Sequence, residues 1–185
     1  DLDSVVQVIN IFDELTINRA PEDVLEVRTD SEMVPGGRKN IVYTACRAFF
    51  AETGIRGGAE CSIQKNIPVQ AGLGGGSGNA AAAAAALNRL YGADLTKEQL
   101  AGIASKAGSD AALFVYGGTV RMSGRGEIVK PLADSPEMWF VVVKPDAGVS
   151  TAWAYSELDK QGFSGVNVAS GQCEKAVVDS DCDAI

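Results

Sequence analysis

The sequence contains no histidine among its 185 residues. This absence excludes a Ser-His-Asp triad, a Cys-His pair and an H-E-x-x-H zinc site, because each of them requires an imidazole. Cysteine is also scarce, and no two cysteines have C-x-x-C spacing: Cys46, Cys61, Cys173 and Cys182. Such scattered thiols favour free structural cysteines in a reducing compartment over a disulfide framework or a catalytic thiol.

Long apolar runs and an excess of positive charge are missing too. No stretch approaches the ~18 consecutive apolar residues of a membrane span, and we therefore expect no membrane association. The 16 basic and 24 acidic residues give a net charge of -8 and a pI of about 4.6. This average charge repels polyanions, so we expect no nucleic-acid partner, and any anionic ligand must be met by local groups.

The composition is that of a folded chain with a core. Hydrophobic residues make up 46% of the sequence and the mean hydropathy is +0.05, which is enough apolar surface to offset the entropy of ordering the chain. The sequence opens at Asp1 without a methionine and stops at Ile185 without a polar tail. We therefore expect a fragment of a longer protein, comprising one domain and part of a second.

Apolar periodicity predicts strand groups that alternate with helices. We expect strands over residues 5–8, 14–17, 24–27, 60–64, 116–122, 126–130 and 139–143. We expect helices over residues 40–50, from residue 80 to about 90, over 96–106 and over 151–158. Because several consecutive strands have no helix between them, the pattern favours an α/β or α+β two-layer sandwich over a simple βαβ series.

The strongest local signal runs from Pro68 to Asn79, where five glycines fall within the seven residues 72–78 and lead into seven alanines, Ala80 to Ala86. A helix entered from such a loop exposes unpaired N–H groups, and glycines let the backbone wrap closely around a phosphate. The stretch lacks the Gly-Lys-Ser/Thr of a P-loop, and Ser77 replaces the last glycine of a Rossmann motif. The remaining alternative is a flexible loop before a well-packed alanine helix.

Residues 68–82 resemble the phosphate-binding motif of the GHMP kinase superfamily, which includes galactokinase, homoserine kinase and mevalonate kinase. Further segments resemble one branch of that superfamily, whose acceptor is a cytidine diphosphate-linked polyol of the non-mevalonate isoprenoid pathway. These segments are Gly108 to Asp110 with Leu113 to Val115, the turn Gly124 to Glu127, and Lys144 to Tyr155. The resemblance covers nearly the whole chain in order.

The resemblance implies a fold, two domains and a reaction. It implies the GHMP kinase fold, with a ribosomal-S5-like, ATP-binding N-terminal domain over residues 1–145 that lacks its first strand, together with the lysine carried there. Residues 146–185 would begin a C-terminal substrate domain. The implied activity is transfer of phosphate from ATP, with Mg²⁺, to a hydroxyl of the small-molecule acceptor.

The resemblance also implies roles for individual residues. The ATP phosphates would be bound by Gly72, Gly74, Gly75, Gly76, Ser77, Gly78 and Asn79, with Ser77 also near Mg²⁺. Asp110 falls at the position of the catalytic aspartate, where a carboxylate in a largely apolar setting can orient or deprotonate the attacking alcohol. Taken without its context, Asp110 is equally explained as the N-cap of a helix starting at Ala111.

Two residues near the end of the chain match the part of the branch that contacts cytidine. Thr151 and Tyr155 share one face of the predicted helix, and a tyrosine ring can stack on a pyrimidine; the alternative for Tyr155 is a core aromatic.

We interpret Gly124 to Glu127 as a tight turn rather than a site. Gly78 and Ala112 depart from the serine and proline of the branch.

These departures leave three functional hypotheses open. The chain belongs to a kinase for the cytidine-linked acceptor, to another GHMP kinase such as a homoserine or mevalonate kinase, or to a nucleotide-binding relative without turnover. The compartment would be bacterial cytoplasm or plastid stroma. The sequence leaves the oligomeric state open, and a homodimer is one arrangement that it allows.

Overall fold

A computed structural model describes residues 2–146, 148–161 and 170–179 of the chain. The described strands are β1 (Leu2–Gln7), β2 (Glu14–Ala20), β3 (Leu25–Thr29), β4 (Gly58–Gln64), β5 (Thr119–Gly124) and β6 (Ile128–Pro131). The described helices are α1 (Ile41–Thr53), α2 (Gly75–Tyr91), α3 (Lys97–Ser105), α4 (Ala111–Tyr116), α5 (Thr151–Lys160) and α6 (Ser170–Asp179). A short 3₁₀ turn, Gly37–Lys39, precedes α1.

The strands form two small sheets. One has the order β1-β5-β6 with antiparallel pairs, and the other has the order β2-β4-β3, in which β4 is antiparallel to β2 and parallel to β3. A parallel pair needs a crossover connection, which α1 supplies between β3 and β4. The mixed α/β fold expected from the sequence is confirmed.

Local sequence determines where α1 begins and ends and where α3 begins. The Asn40 side chain accepts a hydrogen bond from the Val42 N–H at 2.9 Å, and α1 stops at Gly54, whose φ is 66°. Thr96 and Gln99 form both bonds of a capping box at the start of α3, as the sequence predicts. Caps of this kind satisfy backbone groups that a helix end leaves unpaired.

Helix α2 lies at the centre of the main core. Its alanines at 80, 81, 83 and 84 are buried, and the helix packs with α1, α3, α4 and β2. The small side chains allow neighbouring backbones to approach closely, which explains the alanine run. A second, smaller core cluster under the β1-β5-β6 sheet contains Leu113, Val120 and Met122.

Two buried cysteines are part of the main core. The Sγ atoms of Cys46 on α1 and Cys61 on β4 lie 3.8 Å apart as free thiols. The hydrogen bond with Cys61 and burial both raise the pKa of the Cys46 thiol, which keeps it protonated and unreactive. The prediction of structural thiols is confirmed for this pair; Cys173 is free and half-buried, and Cys182 lies outside the described residues.

The sequence-based prediction is wrong in three places. Residues 139–143 do not form a strand: Trp139 and Val141 are each 92% exposed, without a neighbouring strand among the described residues. Tyr116, expected to open a strand, ends α4 instead. The sequence reading also missed α6, which is anchored to the first sheet where Arg121 bonds both Asp3 and Glu174.

No described helix has the length and apolar character needed to cross a membrane.

Candidate functional site

The N-terminus of α2 is left uncapped by the protein. Gly74 precedes the helix with φ 67° and ψ 17°, and no side chain accepts a hydrogen bond from the first turn. The Gly78 N–H bonds to the Gly74 carbonyl at 2.9 Å, so the N–H groups of the first three helical residues, Gly75 to Ser77, have no intrahelical acceptor. Together with the positive end of the helix dipole, they form a binding site for an anion.

The shape of this site requires glycine. We call residues 68–78 the glycine segment. A Cβ on Gly74 would lie 2.6 Å from the Phe114 ring, and a Cβ on Gly75 would lie 3.1 Å from Cγ2 of Ile67 and 3.3 Å from Nζ of Lys65. At Gly74 and Gly75 the backbone therefore lies too close to its neighbours for a side chain to fit without a shift, and the simple flexible-loop alternative does not explain this close packing.

The position of the Phe114 ring leaves room for alanine at Gly78 but not at Gly74. At Gly78, inside α2, a Cβ would lie 3.5 Å from the ring, which is ordinary contact. We expect Gly78→Ala to raise the free energy of unfolding by about 0.5 to 1 kcal/mol, because alanine loses less entropy in a helix. Gly74→Ala should destabilise, since it combines positive φ with a clash. Urea unfolding of both variants tests this. A change in the free energy of unfolding that has the same sign in both variants would contradict it.

Asp110 lies in the turn before α4. It is the N-cap residue of that helix, as the N-cap alternative expected, but its side chain makes no capping hydrogen bond with the helix. The residue is exposed, and the largely apolar setting that we expected is not present. A Cβ on Gly126 would lie 2.6 Å from Oδ1 of Asp110, so the turn between β5 and β6 packs directly against the carboxylate.

That turn has the tight geometry predicted from the sequence. Gly124 and Gly126 have φ of 70° and 109°, and Oε2 of Glu127 accepts a hydrogen bond from the Arg125 N–H at 2.7 Å. Backbone hydrogen bonds, first its own and then that of Arg125, hold the pKa of the Glu127 carboxyl below its usual range. The turn is thus self-contained, and it also forms one wall beside Asp110.

Helix α4 and the turn before it bring Asp110 to the glycine segment. A Cβ on Gly108 would lie 3.7 Å from Oγ of Ser77, and the Phe114 ring contacts the positions of Gly74 and Gly78. The turn of residues 108–110 therefore begins at the uncapped end of α2. This places the turn that carries Asp110 beside an anion-binding backbone, and a carboxylate on such a turn is suited to assisting transfer of a charged group onto an alcohol.

Sequence reasoning missed a buried network beneath the glycine segment. The Asp13 side chain is fully buried and forms an ion pair with Lys65, whose side chain is 9% exposed. Its Oδ1 accepts from the N–H groups of Asn66 and Ile67, both at 2.8 Å, and its Oδ2 accepts from Nδ2 of Asn79 at 2.8 Å. Asn79, predicted to bind phosphate, therefore has its amide turned to Asp13.

The network sets the ionisation of Asp13. Burial alone would raise the pKa of this carboxyl, but hydrogen bonds from Lys65, from Ile67 and Asn66, and from Asn79 outweigh it and hold the pKa below its ordinary value. A depressed folded-state pKa adds stability above the unfolded-state value of about 3.9, and that stability is lost as pH falls through the folded-state value.

We therefore expect the stability difference between the wild-type chain and Asp13→Asn to be constant from neutral pH down to about pH 5 and to shrink below about pH 4. Urea unfolding of both proteins across this range measures it. Because Asp3 also has a lowered pKa, of about 2, the difference between the two proteins, rather than the wild-type curve alone, isolates Asp13. A difference that grows on acidification would contradict the assignment.

Thr151 and Tyr155 lie on α5, as predicted, and Tyr155 is 56% exposed, so it is not a core aromatic. The Thr151 side chain is outside the described part of the structure. A cavity of about 590 Å³ separates the glycine segment from the start of α5; its lining includes Gln70, Gly72, Lys144, Ser150 and Ala154, and not Tyr155. The structure thus brings α5 near the glycine segment without directing Tyr155 into this cavity.

Within the described ranges, no group of three or more acidic, cysteine or histidine residues could hold a metal ion alone. Mg²⁺ usually keeps several waters and is held by few protein groups plus substrate phosphates, so a single hydroxyl beside a bound phosphate would be enough to contact it. Ser77 supplies a half-buried hydroxyl at the uncapped end of α2.

Comparisons with known proteins agree with this geometry. Residues 40–118 match the GHMP kinases N terminal domain. The chain is 40% identical over 161 residues to 4-diphosphocytidyl-2-C-methyl-D-erythritol kinase of Geobacillus kaustophilus, covering 86% of this chain and 56% of the relative. It is 38% identical over 168 residues to the enzyme of that name from Bacillus pumilus, covering 91% and 58%. The chain thus spans less than three fifths of these two relatives.

Solved structures of kinases are similar to this chain as well. A crystal structure of 4-(cytidine 5'-diphospho)-2C-methyl-D-erythritol kinase matches with a TM-score of 0.66 and 29% identity, covering 90% of this chain and 58% of the other. Mevalonate kinase of L. major matches with a TM-score of 0.73 at 18% identity, covering 98% and 64%. At that identity the second match establishes the fold alone.

Proposed function

Since the chain belongs to the GHMP kinase family, we propose that the full gene product is an ATP-dependent kinase that phosphorylates a hydroxyl of 4-diphosphocytidyl-2-C-methyl-D-erythritol. The observation that carries the proposal is the juxtaposition of the uncapped α2 N-terminus with the turn that holds Asp110. Relatives of that name at 38% and 40% identity support the choice of acceptor.

In the proposed reaction, the acceptor hydroxyl oxygen attacks the γ-phosphorus of ATP. The bond between that phosphorus and the bridging oxygen breaks, ADP leaves, and the hydroxyl proton passes to the Asp110 carboxylate. The N–H groups of Gly75, Gly76 and Ser77 lower the energy of the transition state by donating to phosphate oxygens. An exposed carboxylate without a hydrogen-bonded partner among the described residues is free to accept that proton.

The proposed ATP site fits the groups present. Phosphates would lie against the glycine segment, where the N–H groups of Gly75 to Ser77 and the positive end of the α2 dipole attract them, since the Lys65 ammonium beside Gly75 is already paired with Asp13. Bound Mg²⁺ would neutralise phosphate charge, and the Ser77 hydroxyl is the side chain best placed to contact it. Asn79 contributes through Asp13 rather than by direct contact with phosphate.

The acceptor side of the site is proposed to include α5. If Tyr155 stacks on cytosine, Tyr155→Ala should weaken acceptor affinity by about 1 to 3 kcal/mol, whereas Tyr155→Phe keeps the ring and should be nearly neutral. Because the ring is 56% exposed, the melting temperature should change little in either variant. Acceptor KM and melting temperature, measured together on the full-length enzyme, test this. An unchanged KM in Tyr155→Ala would remove Tyr155 from the site.

A phosphoryl-transfer assay tests the proposed function. Full-length enzyme is incubated with Mg·ATP and, separately, with 4-diphosphocytidyl-2-C-methyl-D-erythritol, mevalonate or homoserine, and ADP release is measured. We expect turnover with the cytidine-linked acceptor alone. Preference for mevalonate or homoserine would assign another GHMP kinase activity, and nucleotide binding without turnover on any acceptor would favour a non-catalytic relative.

Three further features remain predictions within this proposal. The boundary between an N-terminal domain ending at residue 145 and a substrate domain starting at 146 follows from the resemblance. The bacterial sources of the two relatives favour bacterial cytoplasm over plastid stroma. A homodimer is testable by light scattering on the full-length protein.

A further inference from the structure

Asp13 connects the two ends of the glycine segment. It lies in the link between β1 and β2, outside the segment itself. One carboxylate oxygen holds the N–H groups of Asn66 and Ile67, directly before the segment, and the other holds the Asn79 amide, directly after it. A single buried carboxylate thus bonds to residues on both sides of the eleven-residue glycine segment.

This carboxylate has more partners than an ordinary buried ion pair. Besides the two backbone groups and Asn79, it accepts a hydrogen bond from the Lys65 ammonium, so both oxygens are fully used. Replacing a buried charge of this kind by a neutral group is costly, because its partners lose their acceptors. A structural ion pair alone would not need contacts on both sides of the glycine segment.

We propose that Asp13 is a positioning residue for the nucleotide site: it fastens the two ends of the glycine segment together and so holds its N–H groups in the arrangement that receives phosphate. The proposal rests on the nucleotide-binding role proposed above. Its physical basis is preorganisation, because a segment that is ordered before binding does not lose further entropy when the ligand arrives. Asp13 itself need not touch the nucleotide.

The variant that breaks this connection is Asp13→Asn. The oxygen of the new amide can still accept from the Asn66 and Ile67 N–H groups. Its NH₂ group, however, is a hydrogen-bond donor and faces two other donors, the NH₂ of Asn79 and the ammonium of Lys65. The reciprocal double variant Asp13→Asn/Asn79→Asp restores a carboxylate and an amide across the same gap. The double variant therefore keeps one carboxylate and one amide in the pair but exchanges their positions, so the hydrogen bond between positions 13 and 79 should form again.

Two readouts test the proposal. Hydrogen exchange of the Gly78 amide, which donates to the Gly74 carbonyl at 2.9 Å, should accelerate at least about tenfold in Asp13→Asn, because local opening of the first turn of α2 becomes easier. The Kd of Mg·ADP, measured by calorimetry, should rise at least about tenfold. In the double variant both values should return to within about threefold of wild type. In turnover, the KM for ATP should rise while kcat at saturating ATP stays near wild type.

The matched control is Val177→Ala, at a buried position of α6, a helix that packs on β1. It should lower the melting temperature without changing either readout, which separates positioning from general destabilisation. If Asp13→Asn does not fold, Asn79→Ala, which removes only the bond after the segment, is used in its place.

Each outcome decides a separate question. Unchanged exchange of the Gly78 amide in a folded Asp13→Asn variant overturns the proposed connection. Faster exchange with unchanged Mg·ADP affinity overturns its role in nucleotide binding. Failure of the double variant to restore affinity overturns the pairing of Asp13 with Asn79. A wild-type chain that does not bind Mg·ADP overturns the proposed function, while the exchange experiment still judges whether Asp13 orders the segment.

Discussion

Replacement of Asp110 by asparagine should lower kcat of the full-length enzyme by about 10²-fold or more, with little change in the Kd of Mg·ATP. A general base typically contributes about 10² to 10⁴ to the rate, and the amide cannot accept the hydroxyl proton. The side chain is exposed and makes no helix-capping bond, so the melting temperature should stay close to wild type. Steady-state kinetics, calorimetry and thermal unfolding measure the three quantities.

The matched control is Glu98→Gln, which removes a carboxylate from the first turn of α3, outside the proposed site. It should leave kcat unchanged, because a general loss of negative charge does not affect proton transfer. A variant Asp110→Asn that turns over normally would exclude a role in the chemical step. Equal losses in both variants would assign the effect to overall charge.

The second large effect is expected at Gly75. A Cβ there would lie within 3.3 Å of both Ile67 and Lys65, and the two γ-methyl groups of valine would extend further into the same groove. We expect Gly75→Val to raise the Kd of Mg·ATP at least tenfold, about 1.4 kcal/mol, because the backbone must move away from the position that receives phosphate. Calorimetry on the folded variant measures this.

A second glycine-to-larger change controls for loss of a glycine. Gly102 lies inside α3, and a Cβ there would meet no atom within 4 Å. Gly102→Ala should leave nucleotide affinity unchanged and should stabilise α3, since alanine is the better helix former. Unchanged affinity in a folded Gly75→Val would show that the ligand does not approach this backbone.

The parts of the fold that the sequence predicts well are those determined by neighbouring residues. The capping box of Thr96 and Gln99, the glycine stop at Gly54 and the alanine run of α2 each act over a few residues, and each is present. The first part of the site is of the same kind, because a glycine-rich stretch and the helix that follows it are adjacent in sequence. Local physics is enough for these features.

The Asp13 network could not be predicted because its partners are far apart in sequence. Lys65 and Asn79 lie 52 and 66 residues from Asp13, and no periodicity or spacing joins them. A single aspartate before a strand is indistinguishable from a solvated loop residue. Only the assembled fold shows that this carboxylate is fully buried.

The error at residues 139–143 has a different cause. Trp139 to Val143 have strong strand propensity, but propensity describes how well side chains fit a paired sheet, not whether a partner is present. The described residues supply no neighbouring strand, and the segment stays extended and exposed.

The pairing of β1 with β5 has a consequence for the order of events during synthesis. Leu2 is opposite Gly124 and Gln7 is opposite Thr119, so β1 must wait for more than a hundred further residues before β5 exists. At a ribosomal speed of 5 to 20 residues per second, the delay is roughly 5 to 25 s. During that interval the β2-β4-β3 sheet and helices α1 and α2 can already assemble, whereas Val5 and Val6 remain uncovered. During synthesis, β1 is therefore open to association or chaperone capture until β5 has been made.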